Sequence, residues 1–328
     1  MNKIYQDENY SLLLTDSGMN RCLFNQPDFI NFQNQVFKSR TLVFTLYKRD
    51  NNQPIACLDF SHKGENTHWY TPVIGAFSHL EAVKSLSFIE MELLITQAAH
   101  YLAAQEHMET LSWRIPPLYF NSEITHKLYN TLFRLGWKQN ACELNFHIPL
   151  CPAGSFREGL GKTKRNELNR LARTETSFNI TSTPQDIAAI YQVISENHQA
   201  RGYPMTMSLT ALLELKNALP EALFFANLVR GETLLAGAIV LRLDRSSLYI
   251  FNWGESPAFR QESPITQLCE HLYQHAADHN YRYLDIGIST ENSVPNQGLV
   301  NFKINIGCEI SHKFVMTYQS NSSQNHEC

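Results

Sequence analysis

The chain has 328 residues, 43% of them hydrophobic, and a formal net charge of −4. That length exceeds what one hydrophobic core usually serves, and the apolar share is enough for two. No apolar run approaches the roughly 18 residues a bilayer span needs, which excludes a membrane-spanning helix and leads us to expect a soluble, cytoplasmic protein. Seven cysteines without a Cys-x-x-Cys pair argue for buried thiols rather than a disulfide framework, and thirteen histidines without ligand spacing argue against a metal site.

In chain order, residues 42–60 read as two strands around the polar turn Asp50, Asn51 and Asn52. An aromatic strand follows at 68–70, then a polar loop, a helix of about 17 residues and a strand over 110–115. A helix through Leu128, Leu132 and Leu135 closes at Gly136, which can take the left-handed cap conformation, and an alternating strand runs over 138–148. Pro and Gly then interrupt both periodicities over 149–155. This stretch is the expected boundary between domains 1–150 and 151–328.

The second half opens on a basic run, Lys162, Lys164, Arg165, Arg170 and Arg173, at helical spacing, followed by an amphipathic helix over 186–197. Residues 223–241 give a hairpin around Arg230, Gly231 and Glu232, and an aromatic strand covers 247–253. A polar loop and a helix over 264–279 come next, with Ile265, Leu268, Leu272 and Ala276 on one face. A strand at 283–288, a helix closing at Gly307 and a strand over 309–318 complete the chain.

Leu128, Asn130, Leu135 and Gly136 return in register as Leu299, Asn301, Ile306 and Gly307. Each half therefore has the order strand, strand, strand, helix, strand, helix, strand. A repeat this long is a duplicated domain rather than a solenoid. The fold class is α/β with a mixed, partly antiparallel sheet in each of two tandem domains.

The helix beginning at Pro264 is the first chemical candidate. Ser263 suits an N-cap and Pro264 the first turn, so free amides and the positive dipole end would make an anion site. The preceding loop offers Pro257, Ala258, Phe259 and Arg260, and Arg260 could supply positive charge. The basic run suits phosphates of a nucleotide-linked substrate or of tRNA, in a manner weakened by salt. Asp285 lies in a central strand, where a carboxylate has either a partner or a raised pKa and could take a proton from an amine. His198 ends a helix, where it would orient substrate or cap. Lys303 stands where the first repeat has Leu132, which hints that the second copy holds the site and that this lysine stabilises an oxyanion or a substrate carboxylate. Tyr249, Asn252 and Trp253 belong to one strand and would line a cleft. No Cys or Ser has a nucleophile's setting with a paired His, so direct attack without a covalent enzyme intermediate is expected.

The element order, with residues 162–173, 198–203, 249–254, 263–268, 284–289 and 302–307, resembles the GNAT acyltransferase fold. More specifically it resembles the Fem-type branch, also described as the BioF2-like acetyltransferase domain, in which two GNAT units are fused. The first half matches only in element order, as in a copy that has lost its own site. The resemblance implies a transferase moving an acyl group to the amine of a small molecule or peptide. In GNAT proteins the equivalent of the Pro264 helix cradles the pyrophosphate of acyl-CoA beside a splayed strand. That makes Arg260, Ser263, Pro264, Ile265 and Trp253 the cofactor-binding candidates. The loop lacks the Gln/Arg-x-x-Gly-x-Gly/Ala signature of acetyl-CoA enzymes. In the Fem branch the basic helix lies near the substrate cleft, which adds Lys164 and Arg165, with Tyr249 and Asn252, as substrate-binding candidates. Acyl-CoA is the first expectation for the donor, aminoacyl-tRNA the alternative, and an inactive binding module the third reading.

Overall fold

A computed structural model describes residues 2–65, 67–150, 155–202 and 205–320. Cys151, Tyr203, Pro204 and Cys328 lie outside the described residues, as does most of the expected boundary stretch. In chain order the elements are β1 (Asn2–Gln6), β2 (Tyr10–Thr15), α1 (Pro27–Phe37), β3 (Ser39–Lys48), β4 (Gln53–Lys63), β5 (His68–Thr71), β6 (Glu81–Ala82), α2 (Phe88–Gln105), β7 (Thr110–Arg114), α3 (Ser122–Arg134) and β8 (Lys138–Pro149). They continue with α4 (Lys162–Leu171), β9 (Ser177–Thr181), α5 (Pro184–Gln199), α6 (Leu209–Ala218), β10 (Leu223–Arg230), β11 (Thr233–Arg242), β12 (Ser247–Glu255), α7 (Pro264–Asp278), β13 (Tyr283–Ile288), β14 (Thr290–Glu291), β15 (Val294–Pro295), α8 (Gln297–Asn305) and β16 (Glu309–Gln319).

The chain divides into two compact units, residues 1–143 with 311–328, and residues 144–310. This differs from a single cut at 150, because the last strand pairs with the first unit: Val315 to Gln319 run antiparallel to Arg114 to Thr110. In the first unit β1 to β5 form an antiparallel run, β5 lies parallel to β7, and β6 adds to β4. Helix α2 starts on a complete capping box, in which Ser87 and Glu90 satisfy one another's backbone amides. Its Met91, Leu94, Ile95 and Ala98 pack on Phe44, Leu58, Phe60 and Trp113. Asp59 is buried there among Asn25, Thr71 and Ser78, which hydrogen-bond its carboxyl group.

In the second unit β9, β10, β11 and β12 are antiparallel neighbours, β12 meets β13 in parallel, and β13 meets residues 145–149 of β8 in antiparallel register. Helix α7 covers one face: Leu268, Cys269, Leu272 and Ala276 are buried with Ala236, Ala238, Val240, Leu248 and Ile250. Helix α5 covers the other, where its contact with β11 and β12 depends on missing side chains. A Cβ on Gly237 would lie 2.9 Å from Ile190 Cγ2, and one on Gly254 3.0 Å from Ile194 Cα. The repeated order read from the sequence is present in both halves of the chain. Unanticipated were β1, β2, α1, β9 and α6, together with a 3-10 helix over Pro257–Glu262.

Candidate active site

Strands β12 and β13 pair only at Ser247, Leu248 and Tyr249 with Tyr283, Leu284 and Asp285, and then part. On its other edge β12 stays with β11, through a bulge that leaves Phe251 unpaired between Ile250 and Asn252. A bulge sharpens the local twist and re-aims the strand, so the outer half of β12 diverges from β13 at that level.

The other side of the parting is built by an irregularity in β13. Its register shifts between Asp285 and Gly287, and Gly287 has φ of +73°, a conformation costly for residues with a Cβ. Three carbonyls, of Ile286, Gly287 and Ile288, accept from Lys303 Nζ at 2.8, 2.9 and 2.9 Å. Lys303 is only 4% exposed, lies over the Phe146 ring at 5.2 Å, and has its pKa lowered by burial to about 8. An ammonium has three donors, and all three are spent on backbone. The expectation of a donor free for an oxyanion or carboxylate is thereby corrected: Lys303 holds β13 in its bent course.

Asp285 is 1% exposed. Its carboxylate accepts from Asn145 Nδ2 at 3.1 and 3.0 Å and from the Gly287 amide at 2.6 Å. It fixes the same bend from a buried position. These contacts make Asp285 a positioning residue for the bend. The Cys308 thiol nearby is pushed up to about 12 by burial, which favours the neutral thiol at neutral pH.

At the start of α7 the geometry departs from the expected cap. Ser263 has φ of +58° and ψ of +50° and makes no side-chain cap bond. Its amide donates to Arg260 O at 3.1 Å, and Thr266 N donates to Ser263 O at 3.1 Å. Pro264 has no N–H, and Ile265 N donates to Glu255 Oε2 at 3.4 Å. Glu255, at the end of β12 and 5% exposed, thus places a carboxylate against the helix terminus. Burial raises its pKa, opposed by the Ile265 amide and the charges of Arg201, Arg260 and Lys164. Its Oε1 lies 3.9 Å from Arg201, and Asn197 Nδ2 holds its carbonyl at 3.1 Å.

Lys164 reaches the same place, donating to Ser263 Oγ at 3.0 Å and Glu167 at 2.7 Å and lying 5.3 Å over Phe302. Trp253 meets Phe302 edge-on with centroids 6.0 Å apart. Lys164, Ser263, Pro264, Ile265 and Trp253 are therefore gathered together. Arg165 is exposed and donates to Leu160 O at 3.2 Å, and Arg260 is exposed, touching the group only through its carbonyl and its field. Asn252 donates to Thr206 Oγ1 at 3.1 Å. Tyr249 lies against Gly287, its Oη 3.3 Å from where a Cβ there would stand. His198 sits in the last turn of α5 beside Asn197.

Glu255, Arg201, Asn145, Gly287 and Phe302 were not singled out from the sequence. Glu255 alone carried a signal, a lone carboxylate closing an aromatic strand just before a Ser-Pro helix start. Among the described residues no group of His, Cys, Asp or Glu is arranged to hold a metal ion.

Residues 159–296 match the acetyltransferase (GNAT) domain family. Among solved structures, FemX superposes with a TM-score of 0.69 at 12% identity, over 94% of this chain and 95% of that one. The C-terminal domain of a putative lysylphosphatidylglycerol synthetase from Agrobacterium fabrum gives 0.51 at 13% identity over 82% and 83%. A tandem GNAT protein from the clavulanic acid biosynthesis pathway gives 0.50 at 11% identity over 86% and 83%. No curated protein sequence matches the chain. The matched segment takes in both parted strands, so the part of the chain that opens between β12 and β13 is the part similar to a GNAT acetyltransferase domain. The fold of the chain is the one seen in FemX and in the tandem GNAT protein.

Proposed function

We propose that the second unit transfers an aminoacyl group from tRNA to the amine of a small molecule or peptide. The acceptor nitrogen attacks the ester carbonyl between β12 and β13, the C–N bond forms as the C–O bond breaks, and the ribose oxygen leaves with the proton the nitrogen gives up. Positioning carries most of such a reaction, and no protein base or nucleophile is required. Lys303, Asp285 and Gly287 keep the strand edge in place, with Tyr249 beside the reacting carbonyl.

The observation that carries this reading is a pair of parted strands next to a helix start already filled by the protein's own carboxylate. An ester donor can use the gap, while a donor anchored by pyrophosphate at that helix meets Glu255. The exposed cations Lys162, Arg165, Arg170 and Arg173 suit a polyphosphate backbone. Acyl-CoA is the second reading, favoured by the GNAT domain match.

Filter retention of charged tRNA at low salt tests the proposal. Retention should fall with salt, and the double variant Lys162→Ala with Arg165→Ala should weaken it and lower the salt slope by about two. Stabilisation by acyl-CoA in a thermal melt, with no retention of charged tRNA, would move the assignment to the second reading.

A further inference from the structure

We propose that Glu255 is a donor-specificity residue: its carboxylate is a tethered anion standing where a donor's diphosphate would bind, and it excludes donors that carry one. The inference rests on the second unit's being a transferase and deepens the reading of its donor.

A helix terminus with oriented amides attracts anions, and here the attraction is answered from within the chain. Glu255 Oε2 accepts the Ile265 amide at 3.4 Å, Oε1 faces Arg201 at 3.9 Å, and the strand end is held to α5 by Asn197 Nδ2 at 3.1 Å on Glu255 O. Lys164 and Arg260 complete the charged groups whose fields act on the carboxylate. A phosphate approaching Ile265 would be within a few ångströms of a like charge in a poorly solvated place, where such repulsion is little screened. It would also lose the Ile265 amide, which is taken, and the amides of Ser263 and Thr266, which bond to backbone carbonyls.

Burying a carboxylate opposes folding unless it is paired, and a Gln would make the same bond to Ile265 without carrying charge. The charge is balanced by Arg201 at 3.9 Å and by the fields of Arg260 and Lys164, and its place beside the Ile265 amide also fits discrimination against anionic anchors. Neutralised, the same place would keep Arg201, Lys164 and Arg260 around an amide that can be won.

The full chain, Glu255→Gln and Glu255→Ala are each titrated calorimetrically with inorganic pyrophosphate and with CoA. The wild type is expected to take up neither at about 1 mM, and both variants to bind pyrophosphate at least about ten-fold more tightly than the wild type. Lys164→Met added to Glu255→Gln should remove the gain, which places the bound anion at α7. Should Glu255→Ala not fold, Glu255→Gln decides alone. Wild-type binding equal to that of the variants overturns the proposal, and so does no gain in a Glu255→Gln protein that melts cooperatively. Charged-tRNA retention on the same samples separates the two ideas: its failure removes the tRNA donor and leaves the result on Glu255 standing.

Discussion

Lys303 is the residue on which the local structure turns, since one ammonium satisfies three consecutive carbonyls of a bent strand. Lys303→Met keeps the stem and leaves those carbonyls without their partner. We expect a loss of about 3 kcal/mol or more in chemical denaturation, the scale for stripping a buried charge-assisted group, and loss of transfer with it. An unchanged midpoint would refute the clamp. Asp59 gives a pH test in the first unit. Burial raises its pKa from 3.8 to about 6, so the folded state holds this proton more tightly than the unfolded chain does. Its contribution is greatest below pH 3.8 and is lost as pH rises through 6. The stability of the wild type relative to Asp59→Asn should therefore fall by about 3 kcal/mol between pH 3.5 and pH 7, and a flat difference would contradict it. At this scale the sequence marked Lys303 and Asp285 as special through a charge at an apolar repeat position and a carboxylate in a central strand. Their partners were illegible, because the three carbonyls that accept from Lys303 and the Gly287 amide that donates to Asp285 are presented by an irregular strand, and a single Ile286-Gly287 step does not announce one.

Two short departures from regularity, the bulge at Phe251 and the bend at Gly287, part β12 from β13. Gly287→Ala must take φ of +73° with a Cβ 3.3 Å from Tyr249 Oη. We expect a cost of about 1–2 kcal/mol and a larger fall in transfer rate, measured as kcat at saturating acceptor. Wild-type kcat in a less stable protein would separate the bend from the chemistry. Gly254→Ala should instead push α5 from the sheet, since the new Cβ meets Ile194 Cα at 3.0 Å, and overpacking of this kind costs about 1–3 kcal/mol. The order of elements was legible because amphipathic periods and closing glycines recur in both halves. The start of α7 was misread: Ser263 before Pro264 has the composition of an N-cap, yet the 3-10 helix before it turns the chain left-handed there. Local propensity yielded to the geometry of the connection.

Across the whole molecule, a duplicated unit explains why 328 residues carry one order of elements twice. The division was only partly legible, since the final strand's antiparallel pairing with β7 is a long-range contact that no local pattern encodes. No helix among the described residues is long and apolar enough to cross a membrane. The net charge of −4 makes the basic face of α4 a local excess against an acidic background, so tRNA retention should be steeply salt-dependent. The most direct measurement is a crystal structure with a non-hydrolysable aminoacyl-amide analogue of the tRNA 3′-terminal adenosine. The account predicts the aminoacyl group between β12 and β13, against Tyr249 and Phe251. Density for it anywhere else, or a gap closed by side chains, would contradict it.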